Sequence, residues 1–216
     1  MELRLTSLEQ MRTFAEVLAG HLQAGDLLIL SGNLGAGKTT FTQSLGRALG
    51  VAGRITSPTF VIAREHPSLG DGPALVHVDA YRLSDAEELG DLDLDSELEE
   101  SITVVEWGAG LAEQLSTDYL GLTITPMFGL EADTSDASEG TDGEAVAGMD
   151  ADGAAAADAD DEADEDERRI VELHGHGSTW DARLQQVSES LRGLAGAVEI
   201  STFDGPLGSV DEEDNQ

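Results

Sequence analysis

Residues Gly32-Asn-Leu-Gly-Ala-Gly37-Lys38-Thr39 fit the pattern Gly-x4-Gly-Lys-Ser/Thr, and Lys38 is the single lysine among the eleven basic side chains of the 216-residue chain. A loop of this kind curls so that successive backbone N–H groups face phosphate oxygens, an approach that glycine permits and a side chain obstructs. Lys38 would supply a slim ammonium for β- and γ-phosphates, and Thr39 a hydroxyl for Mg²⁺. A guanidinium is broad and planar, so a chain that otherwise uses arginine keeps lysine here for its shape. Two acids could complete such a site: Asp79 ends the apolar run ALVHV, and Glu106 ends ITVV. Either could hold Mg²⁺, directly or through water, while the other orients an attacking water; spacing leaves that division open.

The loop and both acids must reach one edge of a sheet, and the flanking patterns supply the elements. DLLIL at 26–30 is a short continuous apolar run, as in a strand buried on both faces, and it leads into the loop; a helix follows over 39–49 and stops at Gly50. ALVHV and ITVV read as two more strands, and in a parallel sheet their carboxyl ends line one crevice, where ligands bind. Ser7 and Gln10 form a capping box ahead of an amphipathic helix over 8–22. Further elements are a strand at 60–64, a helix capped by Ser84 with Glu87 and Glu88, a helical turn in DLDLDSELEE, strands over 119–125 and 169–173 that pair as neighbours, and a helix over 178–192. Strands alternating with helices predict an α/β fold of the P-loop NTPase kind, a central largely parallel sheet flanked by helices.

Two other patterns invite chemistry. TSPTF at 56–60 lies where a nucleotide-sensing loop places a hydroxyl near the γ-phosphate, although as a bare pattern it is an ordinary turn with Pro58 fixing φ. His174 and His176 make an HxH pair, but no Cys or acid stands at ligand spacing and glycines flank it, so it reads as a strand-to-helix turn.

Charge divides the chain. The formal net charge is −33, and 131–167 holds sixteen Asp and Glu with no Lys and no aromatic residue before Arg168. Such a segment cannot bury enough apolar surface to offset backbone ordering of ~1–2 kcal/mol per residue, so an acidic disordered insertion is expected at 129–167. A flexible acidic tail is expected at 196–216, leaving 1–128 and 168–195 as one domain. The remainder is still acidic, which disfavours unaided grip on a nucleic-acid backbone. With no cysteine, no apolar leader and no run of eighteen apolar residues, the expectation is a soluble cytoplasmic protein without a membrane contact.

The order GNLGAGKTT, ITSPTF, HVDAYRL and VEWG closely resembles the TsaE (YjeE) family, small ATPases of bacterial tRNA threonylcarbamoyladenosine biosynthesis, over about 1–125 and in part over 168–193. The resemblance implies ATP and Mg²⁺ as cofactors and slow ATP hydrolysis that depends on TsaD and TsaB. TsaD carries the threonylcarbamoyl transfer to the adenosine next to the anticodon, so tRNA is reached only through the partners. Carried over by motif, Gly35, Ala36, Gly37, Lys38, Thr39 and Thr40 bind phosphates, with Lys38 catalytic. Thr39 and Glu106 ligate magnesium, and Asp79 is the second essential acid and a further metal candidate. Trp107 adjoins the site, Thr59 stands in the sensing loop, Ser7 and Leu8 fall where the family meets adenine, and Arg168 touches nucleotide. The chain departs from the family in having Gly108 where a proline is usual and a long acidic stretch in place of a short C-terminal loop. Two other functions fit the loop alone: a small-molecule kinase with Asp79 as base in an acceptor pocket, or a nucleotide sensor that does not hydrolyse.

Overall fold

The computed structural model describes residues 1–58, 62–90, 92, 95–127, 167–193 and 199–201. In chain order the elements are β1 (Glu2–Leu5), α1 (Leu8–Ala19), β2 (Leu27–Ser31), α2 (Lys38–Leu49), β3 (Ala63–His66), β4 (Ala74–Asp79), α3 (Ala86–Gly90), α4 (Asp95–Glu100), β5 (Ser101–Glu106), β6 (Tyr119–Pro126), β7 (Arg169–His176), α5 (Trp180–Gly193) and β8 (Glu199–Ser201). One sheet orders them β3-β4-β5-β2-β6-β7-β1-β8. The central four, β4, β5, β2 and β6, run parallel. Antiparallel strands flank them on both sides.

The centre is parallel because its strands are apolar on both faces and must be covered twice. Along β2, Leu28 and Leu30 enter a core with Phe14, Phe41, Leu45 and Trp180 from α1, α2 and α5, while Leu27 and Ile29 enter a second core with Val76, Val78, Val105 and Leu89. The result is a three-layer α/β arrangement. Register aligns the functional ends: Asp79 pairs with Glu106 across β4 and β5, and Leu30 pairs with Glu106 across β2 and β5. Both acids therefore emerge beside the loop that leaves β2.

The helices begin and end as their residues dictate. The Ser7 side chain accepts from the Gln10 N–H at 3.2 Å, as in a capping box, while Gln10 Oε1 accepts from the N–H of Thr6, one residue before the cap, at 2.6 Å. α1 closes at Ala19, earlier than the expected residue 22, with Gly20 as its cap. α2 is bracketed by Gly37 and Gly50, both in the left-handed region. α5 is tied down at its start, where Arg183 Nη1 donates to Asp26 Oδ1 at 2.7 Å and Nη2 donates to Asp26 Oδ2, just before β2.

Several expectations shift. The strand expected at 60–64 is β3 at 63–66, and residues 60 and 61 lie outside the described residues. The HxH pair sits inside β7, where His176 stacks on Tyr119 at 4.2 Å between ring centres, so it is strand rather than turn. β1 was not anticipated; it covers β7, with Leu3 and Leu5 fully buried. The expected tail contains β8 at 199–201, paired with β1, and the rest of the tail lies outside the described residues. So does the acidic insertion except Glu167, whose Oε2 accepts the Leu8 N–H at 3.1 Å. No helix among the described residues is long and apolar enough to cross a membrane.

Candidate active site

The loop between β2 and α2 has the backbone that its glycines were expected to allow. Gly32, Gly35 and Gly37 take φ of 142°, 77° and 105°, a region L-residues seldom adopt. At Gly32 there is also no room, since a Cβ would lie 2.3 Å from the Ile124 carbonyl oxygen of β6. At Gly35 nothing approaches within 4 Å, so the loop backbone is open where a ligand would meet it. α2 begins at Lys38 and turns its free N–H groups and positive dipole end toward the same space. The Lys38 Nζ donates to the carbonyls of Gly32 at 2.7 Å and Asn33 at 3.0 Å, and lies 3.6 Å from the centre of the Trp107 ring. Burial pushes the Lys38 pKa below its ordinary 10.5, against the opposing pull of the Glu106 and then the Asp79 charge.

Glu106, at the end of β5, is buried with one donor on each oxygen. Thr39 Oγ1 donates to Oε2 at 2.9 Å, and His77 Nε2 stands 2.7 Å from Oε1. A hydroxyl that donates to a carboxylate keeps its lone pairs for a cation. Asp79, also buried, receives the Ser57 hydroxyl on Oδ2 at 2.7 Å and the Tyr81 N–H on Oδ1 at 3.1 Å. It thus caps the single helical turn at 80–82 while sitting on the crevice edge. Trp107 follows Glu106 with φ of 61°, a strained value for a bulky residue, and its ring packs at 5.2 Å from Tyr81.

These groups, with Leu34, Ser57 and Tyr81, line a cleft of about 440 Å³. A second cavity of about 170 Å³ adjoins it across Gly37 and Thr40, lined by Ser7, Leu8, Met11, Glu167 and Arg169. The sequence-derived residues fall accordingly. Gly35 through Thr40, Asp79, Glu106 and Trp107 share the large cleft; Ser7 and Leu8 share the small one. The arginine in the small cavity is Arg169, whose Nε donates to the Ala36 carbonyl at 3.0 Å, whereas Arg168 precedes β7 and offers its carbonyl to the Met127 N–H. Thr59 lies outside the described residues; among the described residues of TSPTF, the Ser57 hydroxyl reaches the site. Sequence reasoning missed His77, Ser57 and Tyr81. For His77 the signal was present: two residues before Asp79 on a strand, it shares a sheet face with that acid.

The donor set suits the groups expected there. One hydroxyl and two carboxylates are hard oxygen ligands, matched to Mg²⁺ in combination with phosphate oxygens. No cluster of three or more His, Cys, Asp or Glu able to hold a metal occurs among the described residues, so a metal here would need ligands beyond such a cluster. A glycine loop joining a central parallel strand to its helix, with acids ending the neighbouring strands, defines a protein of the P-loop class.

Comparison with known proteins narrows the class. A family model described as "Threonylcarbamoyl adenosine biosynthesis protein TsaE" matches residues 5–129, and the chain belongs to the TsaE family. It is 61% identical to the "tRNA threonylcarbamoyladenosine biosynthesis protein TsaE" of Streptomyces coelicolor over 124 residues, covering 57% of this chain and 84% of that protein. The protein of the same name from Mycobacterium bovis is 48% identical over 127 residues, covering 56% and 76%. That of Bacillus subtilis is 38% identical over 123 residues, covering 56% and 75%. Among solved structures, the crystal structure of Bacillus subtilis YdiB superposes with a TM-score of 0.57 at 25% identity, covering 88% of this chain and 95% of that one.

Proposed function

We propose that the chain is an ATP-binding and ATP-hydrolysing accessory protein of tRNA threonylcarbamoyladenosine biosynthesis that acts through TsaD and TsaB. The observation that carries this reading is the hydrogen bond from the loop hydroxyl of Thr39 to the strand-end carboxylate of Glu106. It joins the phosphate loop to an acid in the pairing that a triphosphate-bound metal requires. The phosphates lie along Gly35 to Thr40, with Lys38 turning its ammonium from the loop carbonyls to the phosphate oxygens. Ser7, Leu8, Thr40 and Arg169 bound the smaller cavity, which takes the base. Thr39 and Glu106 would hold Mg²⁺, which would supply positive charge beside the phosphate oxygens. Asp79, fixed by Ser57 and Tyr81, orients the attacking water.

Both acids are buried and positioned by hydrogen bonds, but Leu34 and Tyr81 at the cleft are largely exposed and leave the water side open. That open side supports a reading of slow hydrolysis alone and faster hydrolysis when a partner closes it. The acidic charge disfavours a direct grip on the tRNA backbone, which supports a reading in which TsaD and TsaB hold the tRNA. The chain works in the cytoplasm, where that tRNA is modified.

Phosphate release from ATP, measured with and without TsaB and TsaD, tests this. Partner-stimulated release that Glu106→Gln abolishes supports the reading. Phosphate appearing on a small acceptor would indicate a kinase instead, and tight binding without turnover under any condition a sensor.

A further inference from the structure

We infer that His77 is a positioning residue that sets the orientation of the Glu106 carboxylate for the metal; this rests on the reading that Glu106 and Thr39 hold Mg²⁺. His77 lies in the middle of β4 with no solvent exposure, on the strand face it shares with Leu75 and Asp79 and opposite Val104 of β5, all buried. A branched aliphatic side chain would satisfy this core. The imidazole instead leaves Nδ1 buried with no hydrogen-bond partner, a costly arrangement that calls for a reason.

The reason is visible on the other nitrogen. His77 Nε2 stands 2.7 Å from Glu106 Oε1. A carboxylate only accepts, so Nε2 carries the proton and donates it. Glu106 has no solvent to orient it, and its two oxygens are divided: Oε1 belongs to His77 and Oε2 to Thr39. With Oε1 pinned, rotation of the carboxylate about its last bond is blocked, and Oε2 stays on the side of the loop hydroxyl. Removing the donor leaves Oε1 buried without a partner, and the carboxylate turns to find one. Outer hydrogen bonds of this kind typically change metal affinity or activity by about 10–100-fold.

The test uses the full chain with His77→Leu, which fills the space without a donor, and His77→Gln, whose amide nitrogen can reach the place of Nε2. ATP affinity is measured in EDTA, and the Mg²⁺ concentration for half-maximal tightening of ATP is read from the same titration, with thermal melting alongside. In His77→Leu, affinity in EDTA is expected to stay within about threefold of the unsubstituted chain while the Mg²⁺ requirement rises about tenfold or more; His77→Gln recovers most of that rise. An unchanged Mg²⁺ requirement in a folded His77→Leu overturns the inference and leaves the nucleotide reading standing. Absence of ATP binding by the unsubstituted chain overturns both. Should His77→Leu fail to fold, the ¹⁵N-histidine spectrum of the unsubstituted chain decides: a proton on Nε2, slow to exchange and shifted by Glu106→Gln, supports the assignment, and a proton on Nδ1 contradicts it.

Discussion

Lys38 meets two opposing demands. Its ammonium is drawn out of water among the loop carbonyls and the Trp107 ring, which pushes its pKa below 10.5, yet the proposed phosphate contact requires the charge. The charge is fully present below the folded-state pKa and is lost as pH rises through it. ATP affinity is therefore expected to hold at neutral pH and to decline at a pH below 10.5, whereas an ordinary exposed lysine would hold to higher pH; binding titrations across alkaline pH check this. Linkage has its own sign: between the depressed folded pKa and 10.5 the unfolded chain binds more protons, so burying this amine works against folding below 10.5. Lys38→Met should accordingly lose ATP affinity while melting no lower than the unsubstituted chain, as seen by calorimetry. Residue types and spacing made Lys38, Thr39, Asp79 and Glu106 legible, because the loop pattern fixes a backbone shape and the acids end apolar runs. Ser57 and Tyr81 were not, since their contacts with Asp79 depend on how 57 and 81 fold back, and neither carries a period. Arg169 rather than Arg168 lines the smaller cavity because β7 starts at 169 and alternation sends neighbours to opposite faces.

At the scale of elements, the site is held by strands whose ends are aligned and by helices anchored to them. The Asp26 and Arg183 pair fastens α5 to the residue preceding β2, and Arg183 also covers the Trp180 ring at 4.0 Å. Arg183→Ala would strip a buried carboxylate of its partner, at a cost of about 3 kcal/mol, read by chemical denaturation. A second staple joins the start of β6 to the turn before α5. Thr179 donates through its N–H and its hydroxyl to Asp118, at 3.1 and 2.9 Å, and these bonds hold the Asp118 carboxyl below its ordinary 3.8. Because that pKa is depressed, the contribution is full above 3.8 and is lost as pH falls through the lower folded value. Gly177 between them has φ of 85°, and a Cβ there would lie 2.2 Å from Asp118 Oδ1. Gly177→Ala is thus expected to destabilise by about 1–3 kcal/mol, measurable as a lower urea midpoint. The apolar strands and α2 were readable from run length and glycine stops. β1 and β8 were hidden because four and three residues are too short to establish a period.

At the scale of the whole molecule, the sequence combines an α/β body with a large negative charge. The body holds every described residue proposed for phosphate, base and metal. The charge is concentrated in 131–167, of which Glu167 alone is among the described residues and meets Leu8 at the smaller cavity. Deleting 131–166 while keeping Glu167 should leave ATP affinity within about threefold, since the nearest pocket groups stay in place; a tenfold loss in titration would show that the acidic stretch contributes to the site. The layered architecture was legible from alternating strand and helix patterns, and so was the pairing of β6 with β7; β1 and β8 were not, because at four and three residues they lack the continuous apolar runs of the centre.

The claim on which the rest depends is that the loop from Gly32 to Thr39 grips a triphosphate. Isothermal titration of the full chain with ATP and Mg²⁺, beside Lys38→Ala, addresses it directly. Saturable one-to-one binding that Lys38→Ala weakens at least a hundredfold is predicted; no binding by the unsubstituted chain, or equal binding by both, would contradict the account.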